Sequence, residues 1–522
     1  MSNPKIYINN VWSTVEGLPH NAYMRIYDKL SYEIPGSHFI ISKAEKATTL
    51  EERRKYAKYA NWDGKKHLVK KKRNDENACL FLTGLISKVI KTLVDEYKVL
   101  PEIIDERKRP KRTLDLKWDN KFEPYDYQQK IVEDSINKGR GLIEVCTGGG
   151  KTLISSKIIQ ELGVSPFIFY VLTKDLMYQA KERLEEYIPG LQVGIIGDGQ
   201  CDIKEINVMT MQTAYRCFEK PKKDDEKENF VDLEDSDIKA IKSENLAHLK
   251  KKNSIKKLIN DAKGIYFDEA HHAAASTCQK ILGHSENAYY IFGGTATPER
   301  ADNADLMIEG IFGRKIGMIS ASFLIEKGFL IQPEIYYINL NTKKTRVKNF
   351  AEDYKRHIIE NDERNKYIID IARHMQAKDI PTLILVQRIN HGKLLEKMIP
   401  NSIFVQGKSS NRQDVIDDMR TGRLNTMIAT TLADEGLDIK RLTCLIMAGG
   451  GKSPIKCKQR VGRVIRTCKE ENKKTAFVYD FNDIGRWLPS HSNSRKKILK
   501  QEPKFNVYTI DKFETSRKKN IF

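Results

Sequence analysis

The residues with the clearest chemical potential lie in Glu144-Val-Cys-Thr-Gly-Gly-Gly-Lys-Thr152, where three glycines, a lysine and a hydroxyl follow the apolar pair Leu142-Ile143. Thr147, Gly148, Gly149 and Gly150 let backbone N–H groups converge on a polyphosphate, and Lys151 extends toward its outer phosphates. The Thr152 hydroxyl is a hard oxygen ligand suited to Mg²⁺. The strict phosphate-loop pattern carries glycine where this chain has Val145. Taken alone, the stretch therefore also fits an ordinary glycine loop after a strand.

A second candidate follows the apolar run Gly264-Ile-Tyr-Phe267, which ends at once in Asp268-Glu-Ala-His271. A carboxylate at Asp268 can hold the shell of a magnesium ion through water, and Glu269 can activate an attacking water. Acidic pairs also end strands as turns or helix caps. Two such segments in one α/β domain point to a nucleoside triphosphate. The third candidate is Gln459-Arg-Val-Gly-Arg-Val-Ile-Arg466, which crowds Arg460, Arg463 and Arg466 onto one short helical run. Arginines facing a γ-phosphate stabilise phosphoryl transfer, whereas a basic surface helix would do no chemistry.

The elements that must position these groups are α/β. Residues 1–112 mix short β-rich pieces (Lys5–Asn9, His38–Ser42) with a helix near Leu85–Tyr97, a small basic α+β module. Residues 113–335 alternate strands and helices, the pattern of a covered parallel sheet, and carry a charged insertion at 218–263 that reads as a surface lobe. A second βα series occupies 336–522, with a short C-terminal tail and no phosphate loop. Arg107-Lys-Arg-Pro-Lys-Arg112 reads as a solvated linker.

A chain of 522 residues needs more than one core. Its 90 Lys and Arg against 70 Asp and Glu leave +20, a surface suited to an anionic partner, nucleic acid first. Residues 1–112 hold 23 basic against 14 acidic side chains, a net of +9. There Trp62 and Lys65 sit in Tyr59-Ala-Asn-Trp-Asp-Gly-Lys-Lys66, near Lys70-Lys-Lys-Arg73. Aromatic faces stack on bases while lysines neutralise phosphates, although a hairpin with Trp62 in its core fits the same residues. The eight cysteines are scattered, without metal-ligand spacing, and read as reduced. No apolar run reaches the length of a membrane span, so the expected setting is the cytoplasm, without a membrane partner.

In order and spacing, the motifs from roughly residue 120 to 485 resemble those of the superfamily two helicases and translocases. The resemblance implies two tandem RecA-like domains, ATP and Mg²⁺ as cofactors, and Lys151, Asp268, Glu269, Arg463 and Arg466 as the catalytic set, with Arg466 as the finger. It implies that Gln128, in Tyr125-Asp-Tyr-Gln128, reads the adenine while Phe122 or Tyr125 stacks on it. Gly436 and Asp438, in Glu435-Gly-Leu-Asp438, would lie near the nucleotide, and Thr295 and Thr297 would couple hydrolysis to strand movement. Thr173, Lys174, Gln179, Thr210, Gln387, Arg388 and Thr430 occupy the family's strand-contacting positions.

A narrower resemblance, through Asp302–Gly313, Leu324–Leu330 and Gly450-Gly-Lys-Ser453, is to phage recombination helicases and XPB-like proteins. Tyr59–Lys65 is similar to a segment of UvsW-type phage helicases, which remodel branched DNA. The resemblance thus implies action on branched or forked DNA, with a single strand between the RecA-like domains and recombination or replication proteins as partners; a monomer is favoured, but the sequence does not fix the oligomeric state. An RNA helicase and the motor subunit of a restriction or remodelling complex are the rival readings.

Overall fold

Strands such as Phe167–Val171 and Thr382–Val386 are buried along their whole length, which requires helices on both faces of a parallel sheet. The computed structural model describes residues 3–72, 75–219, 249–272, 276–296, 305–407, 409, 411–430, 439–468 and 472–513. It contains two such RecA-like sheets and a small α+β region before them. By packing, the chain divides into two units, Met1–Glu144 with Lys151–Met318, and Val145–Gly150 with Ile319–Phe522.

The large sheet of the first unit has eight strands in the order Gln200–Asp202, Val193–Gly197, Ile206–Thr210, Phe167–Val171, Gly264–Phe267, Tyr290–Thr295, Arg140–Val145, Lys315–Ile319. Its central pairs are parallel, with Phe267 opposite Tyr170 and Thr295 opposite Glu144, so the ends of these strands share one edge. Ligands gather at that edge of open α/β sheets. The part of the charged stretch from 249 to 261 is a helix that buries Ile255, Leu258 and Ile259, so it belongs to the domain body rather than to a surface lobe. Residues 220–248 of that stretch lie outside the described residues.

Before it lies a five-stranded sheet in the order Val69–Lys72, Asp75–Leu82, Trp12–Glu16, Lys5–Ile8, Glu102–Asp105. The helix Ile86–Tyr97 lays Val89 and Leu93 against the core. That core is continuous with the parallel-sheet core, running from Ile6, Val15, Phe81 and Leu85 to Met307, Ile311 and Phe312. Partly buried Arg140 donates to the carbonyls of Asn10 and Ile311, joining the two parts. The expected linker is also pinned. Arg109 donates to the Tyr290 hydroxyl at 3.0 Å, Arg107 lies over the Tyr289 ring, and the Thr113 and Leu114 amides donate to the Gly163 carbonyl.

His38–Ser42, expected as a β piece, lies instead within the helix Ser37–Glu45. Gly36, at φ 78°, turns the chain into it, and none of its residues is buried. A short apolar run has no period that separates strand from helix when no burial selects one.

Gly84 abuts the backbone of Glu309 and Gly310 so closely that a Cβ would overlap their carbonyl oxygens. Gly84→Ala is therefore expected to cost about 1–3 kcal/mol by overpacking. A urea denaturation midpoint unchanged from the unmutated protein would contradict this close packing.

The second unit is built on seven parallel strands in the order Ile403–Val405, Thr426–Thr430, Thr382–Val386, Cys444–Ile446, Ala476–Asn482, Pro333–Asn339, Asn506–Ile510. Ile338, Ile384, Ile428, Ile446 and Phe481 are among the residues that form its core. Among the described residues no helix is long and apolar enough to cross a membrane.

Candidate active site

The glycine loop begins where Arg140–Val145 ends. Val145 is fully buried, and a Cβ on Gly149 would stand 2.5 Å from its Cγ1, so the valine closes the strand and the glycine packs onto it. Gly148 and Gly150 adopt φ values of 89° and 86°, a conformation that favours glycine. The Cys146 amide donates to the Ile319 carbonyl, and the Gly149 amide donates back to the Cys146 carbonyl, which shapes the turn. Lys151 then opens the helix Lys151–Leu162, whose Ser155 and Ser156 hydroxyls both donate to the Thr152 carbonyl.

In the first unit Lys151 Nζ lies 3.6 Å from Glu269 Oε1. Glu269 Oε2 is 3.4 Å from His271 Nδ1, which is 3.2 Å from the Thr295 hydroxyl. Segments far apart in sequence thus form one chain of contacts at the strand ends. Asp268 Oδ1 accepts the Glu269 amide, and Glu269 itself holds a left-handed φ of 50°. Such a conformation costs a non-glycine residue on the order of 1–3 kcal/mol and is found at functional sites. Burial, and then the charge of Glu269, push Asp268 up to about 6 against the pull of Lys151. Burial would raise Glu269 too, but Lys151, followed by His271 and His272, brings it below the usual carboxylate range. The Asp-Glu pair is divided by its surroundings, which favour the charged form of Glu269 and work against that of Asp268.

Gln128 is buried and its Oε1 accepts the Tyr125 amide, capping the helix Asp126–Lys138. Tyr125 is 52% exposed, with its ring stacked on Tyr127 at 5.9 Å. Phe122 packs edge-on against Tyr187, so of the two stacking candidates Tyr125 is the one that faces solvent. Thr173 and Thr210 cap the helices Lys174–Tyr187 and Met211–Cys217 through their hydroxyls, and Lys174 and Gln179 are exposed on the first of these. Both threonines stand at the ends of neighbouring strands. Trp62 is half-buried, donates Nε1–H to the Lys65 carbonyl, and lies 5.3 Å from the Tyr59 ring. Its neighbouring helices Ser37–Glu45 and Leu50–Tyr56 have no buried residue of their own.

In the second unit, Gln387 and Arg388 are exposed just beyond Thr382–Val386, and Thr430 is opposite Val386 at the end of the adjoining strand. The helix Pro454–Val464 carries Arg460 and Arg463, while Arg466, expected on the same helical run, follows its end because the chain there pairs with Leu330. Arg460 is buried and donates to the Gly450 carbonyl at 3.3 Å. Arg463 and Arg466 are only partly buried, and Arg466 pairs its backbone with Leu330. A Cβ on Gly148 would stand 3.6 Å from Arg466 Cγ, and one on Gly462 would stand 2.5 Å from Thr147 Cβ. Within this unit the arginine helix therefore packs directly on the glycine loop. Thr297, Gly436 and Asp438 lie outside the described residues. Sequence reading missed the part played by His271, whose signal was its position two residues after Glu269. It also missed that Arg460 turns inward, for which the sequence held no signal.

The family model described as type III restriction enzyme, res subunit, matches residues 121–300, and that described as helicase conserved C-terminal domain matches residues 363–468. The chain is 29% identical over 399 residues to a protein designated helicase 22 of Sulfolobus islandicus filamentous virus, spanning 71% of this chain and 66% of that one. It is 23% identical over 471 residues to the ATP-dependent DNA helicase uvsW of Enterobacteria phage T4, spanning 85% of this chain and 86% of that one. In fold it is similar to a fragment of a type I restriction enzyme HsdR subunit from Vibrio vulnificus YJ016, with a TM-score of 0.53 and 18% identity over 76% of this chain and 70% of that one.

Proposed function

Because the chain belongs to the superfamily two helicases, within a UvsW-like group, and is an ATP-dependent helicase, we propose that it unwinds or branch-migrates forked and junction DNA. The observation that carries the DNA-structure part of this reading is the N-terminal region. Its basic aromatic segment around Trp62 and Lys65 leads into the strand Lys65–His67, which pairs with Ser31–Glu33, and Leu30 and Leu68 flanking these strands belong to the core shared with the first parallel sheet. A duplex or junction held there moves with the ATP-binding sheet instead of trailing on a tether.

In this reading residues 1–112 engage the duplex or junction, 113–335 bind ATP, and 336–522 complete the motor. Gly148, Gly149, Gly150 and Lys151 hold the phosphates, Gln128 reads the adenine, and Tyr125 stacks on it. The Thr152 hydroxyl and the Asp268 carboxylate fit Mg²⁺, because both are hard oxygen donors and that ion completes its shell with water and phosphate oxygens. When bound, it neutralises charge on the β- and γ-phosphates. Glu269 accepts a proton from the attacking water at a carboxylate oxygen, with Lys151 and His271 fixing its orientation. Arg463 and Arg466 face the charge that develops on the γ-phosphate. Thr295, linked to Glu269 by His271, couples hydrolysis to movement of the strand, and Thr173, Lys174, Gln179 and Thr210 face that strand from the first sheet. Gln387, Arg388 and Thr430 are the strand-contacting groups of the second sheet.

The double substitution Trp62→Ala with Lys65→Ala tests the N-terminal role without removing a region whose core is shared. Unwinding of forked and four-way DNA is expected to fall about tenfold, the loss of one base-stacking contact and one phosphate contact. ATP hydrolysis on unbranched single strands is expected to stay within twofold. Equal rates on all substrates before and after the change would refute the branched-DNA reading. ATP hydrolysis without strand separation by the unmutated protein would favour a translocating restriction motor instead.

A further inference from the structure

The second unit contains a near copy of the phosphate loop in residue type, Gly449-Gly-Gly-Lys-Ser453, that takes no part in holding ATP in the reading above. It follows the parallel strand Cys444–Ile446 and opens the helix Pro454–Val464, where the Ser453 hydroxyl accepts the Lys456 amide. The glycines are required. Gly450 and Gly451 adopt φ values of 59° and 121°, and a Cβ on Gly449 would stand 2.6 Å from the Gln387 backbone nitrogen.

The carbonyls of this run are consumed one after another. Arg364 donates to Met447 and Ala448, the Tyr354 hydroxyl to Gly449 at 2.9 Å, Arg460 to Gly450 at 3.3 Å, and Arg495 to Gly451 at 2.6 Å. Arg364 and Arg495 are buried and are themselves held by Asp480 and Asp483. In a planar trans peptide the N–H points opposite to the carbonyl of the preceding residue. The amides of Gly451 and Lys452 therefore point away from Arg460 and Arg495, and successive amides turned outward in this way form an anion-binding concavity.

Gly449, Gly451 and Lys452 line a cavity of about 300 Å³ together with Phe350, Tyr354 and His491. Phe350 is 42% exposed, and its ring lies 5.5 Å from that of His491 and 6.4 Å from that of Trp487. Burial, then Lys452 and Arg495, lower the His491 pKa, so its ring is neutral and can stack. The rim is cationic, with exposed Lys452, with Arg388 over Tyr354 and with Arg486 over Trp487. Asp483 also lines the cavity, but its carboxylate accepts from Arg364 and Arg495.

We propose that this cavity binds one nucleotide unit of single-stranded DNA, its base against Phe350 and His491 and its phosphate on the Gly451 and Lys452 amides and the Lys452 ammonium. The inference rests on the DNA reading above and adds a site to it. It also gives the strand a mechanical path to the nucleotide. The helix Pro454–Val464 is about 16 Å long. Arg460 ties it to the Gly450 carbonyl, and Gly462 abuts Thr147 of the phosphate loop, so a strand that shifts the second glycine loop shifts the helix that packs on the first.

The test uses the full chain and a fluorescent single-stranded oligonucleotide carrying 2-aminopurine at successive positions. Phe350→Ala and Lys452→Ala are each expected to weaken binding about tenfold. Phe350→Ala should also abolish 2-aminopurine quenching at one position, and Lys452→Ala should reduce the slope of log K against log salt by about 0.7. Affinity for a fluorescent ATP analogue without DNA, unchanged within twofold, shows that the variants are folded. Binding by both variants within twofold of the unmutated protein would overturn the site, as would displacement of the strand by adenosine monophosphate at micromolar concentration, which would assign the cavity to a free nucleotide. Failure of the unmutated protein to bind any single strand would overturn the DNA reading itself, a result distinct from selective failure of the two variants.

Discussion

Glu269→Gln is expected to lower DNA-stimulated ATP hydrolysis by about 10²–10⁴-fold while leaving nucleotide binding intact. The substitution keeps the size and planarity of the side chain and removes its charge and with it the capacity to accept a proton. Glu269 is singled out over its neighbour by environment. Lys151 lies 3.6 Å away and favours its charged form, while Asp268 is pushed the other way by burial and by Glu269. Glutamine would lose the charge that attracts Lys151 but could still meet His271 through its amide, so the left-handed backbone at this residue has no reason to relax. The measurement is single-turnover hydrolysis alongside the affinity for a fluorescent ATP analogue. Turnover within threefold of the unmutated protein would remove Glu269 from the role of base. A parallel loss of analogue affinity would mean that it holds the phosphate loop in place instead.

The parts of the site that were legible in the sequence are those where one residue type has few other uses. Gly148, Gly150 and Lys151 read as a phosphate loop once taken with Asp268 and Glu269 in the same α/β region, and both glycines hold positive φ ahead of the helix that Lys151 opens. Both parallel sheets were legible because strands buried on both faces are uninterrupted apolar runs. What was hidden depended on partners distant in the chain. Val145 breaks the consensus pattern because it ends a buried strand and supports Gly149, a contact visible only once the loop has turned back. Arg107 and Arg109 look like linker charges until Tyr289 and Tyr290 arrive from the far side of the domain. His38–Ser42 offers four apolar or aromatic side chains to a core that never covers them, so local geometry selects a helix. Arg460 and Arg463 are three residues apart on one helix, yet Arg460 is buried on the Gly450 carbonyl while Arg463 is only partly buried.

That division among the arginines makes Arg466→Ala the substitution with the largest expected effect. An arginine that stabilises charge on a γ-phosphate in flight contributes roughly 10³–10⁵ in rate, and the loss should fall on kcat with little change in ATP affinity. Arg466 is suited to that part by its setting. Its backbone is tied to Leu330, and its side chain runs beside Gly148 of the phosphate loop within the same compact unit. Arg466→Lys should not restore the rate, because a lysine ammonium cannot present two parallel N–H donors to a phosphate. Arg460→Ala is the informative contrast, since it would free the Gly450 carbonyl and is expected to lower thermal stability and strand binding before it lowers hydrolysis of ATP without DNA. Should Arg466→Ala turn over ATP within tenfold of the unmutated rate while Arg463→Ala does not, the finger is Arg463. Should both retain that rate, neither arginine faces the transferred phosphate, and the packing of the helix Pro454–Val464 on the glycine loop serves stability alone.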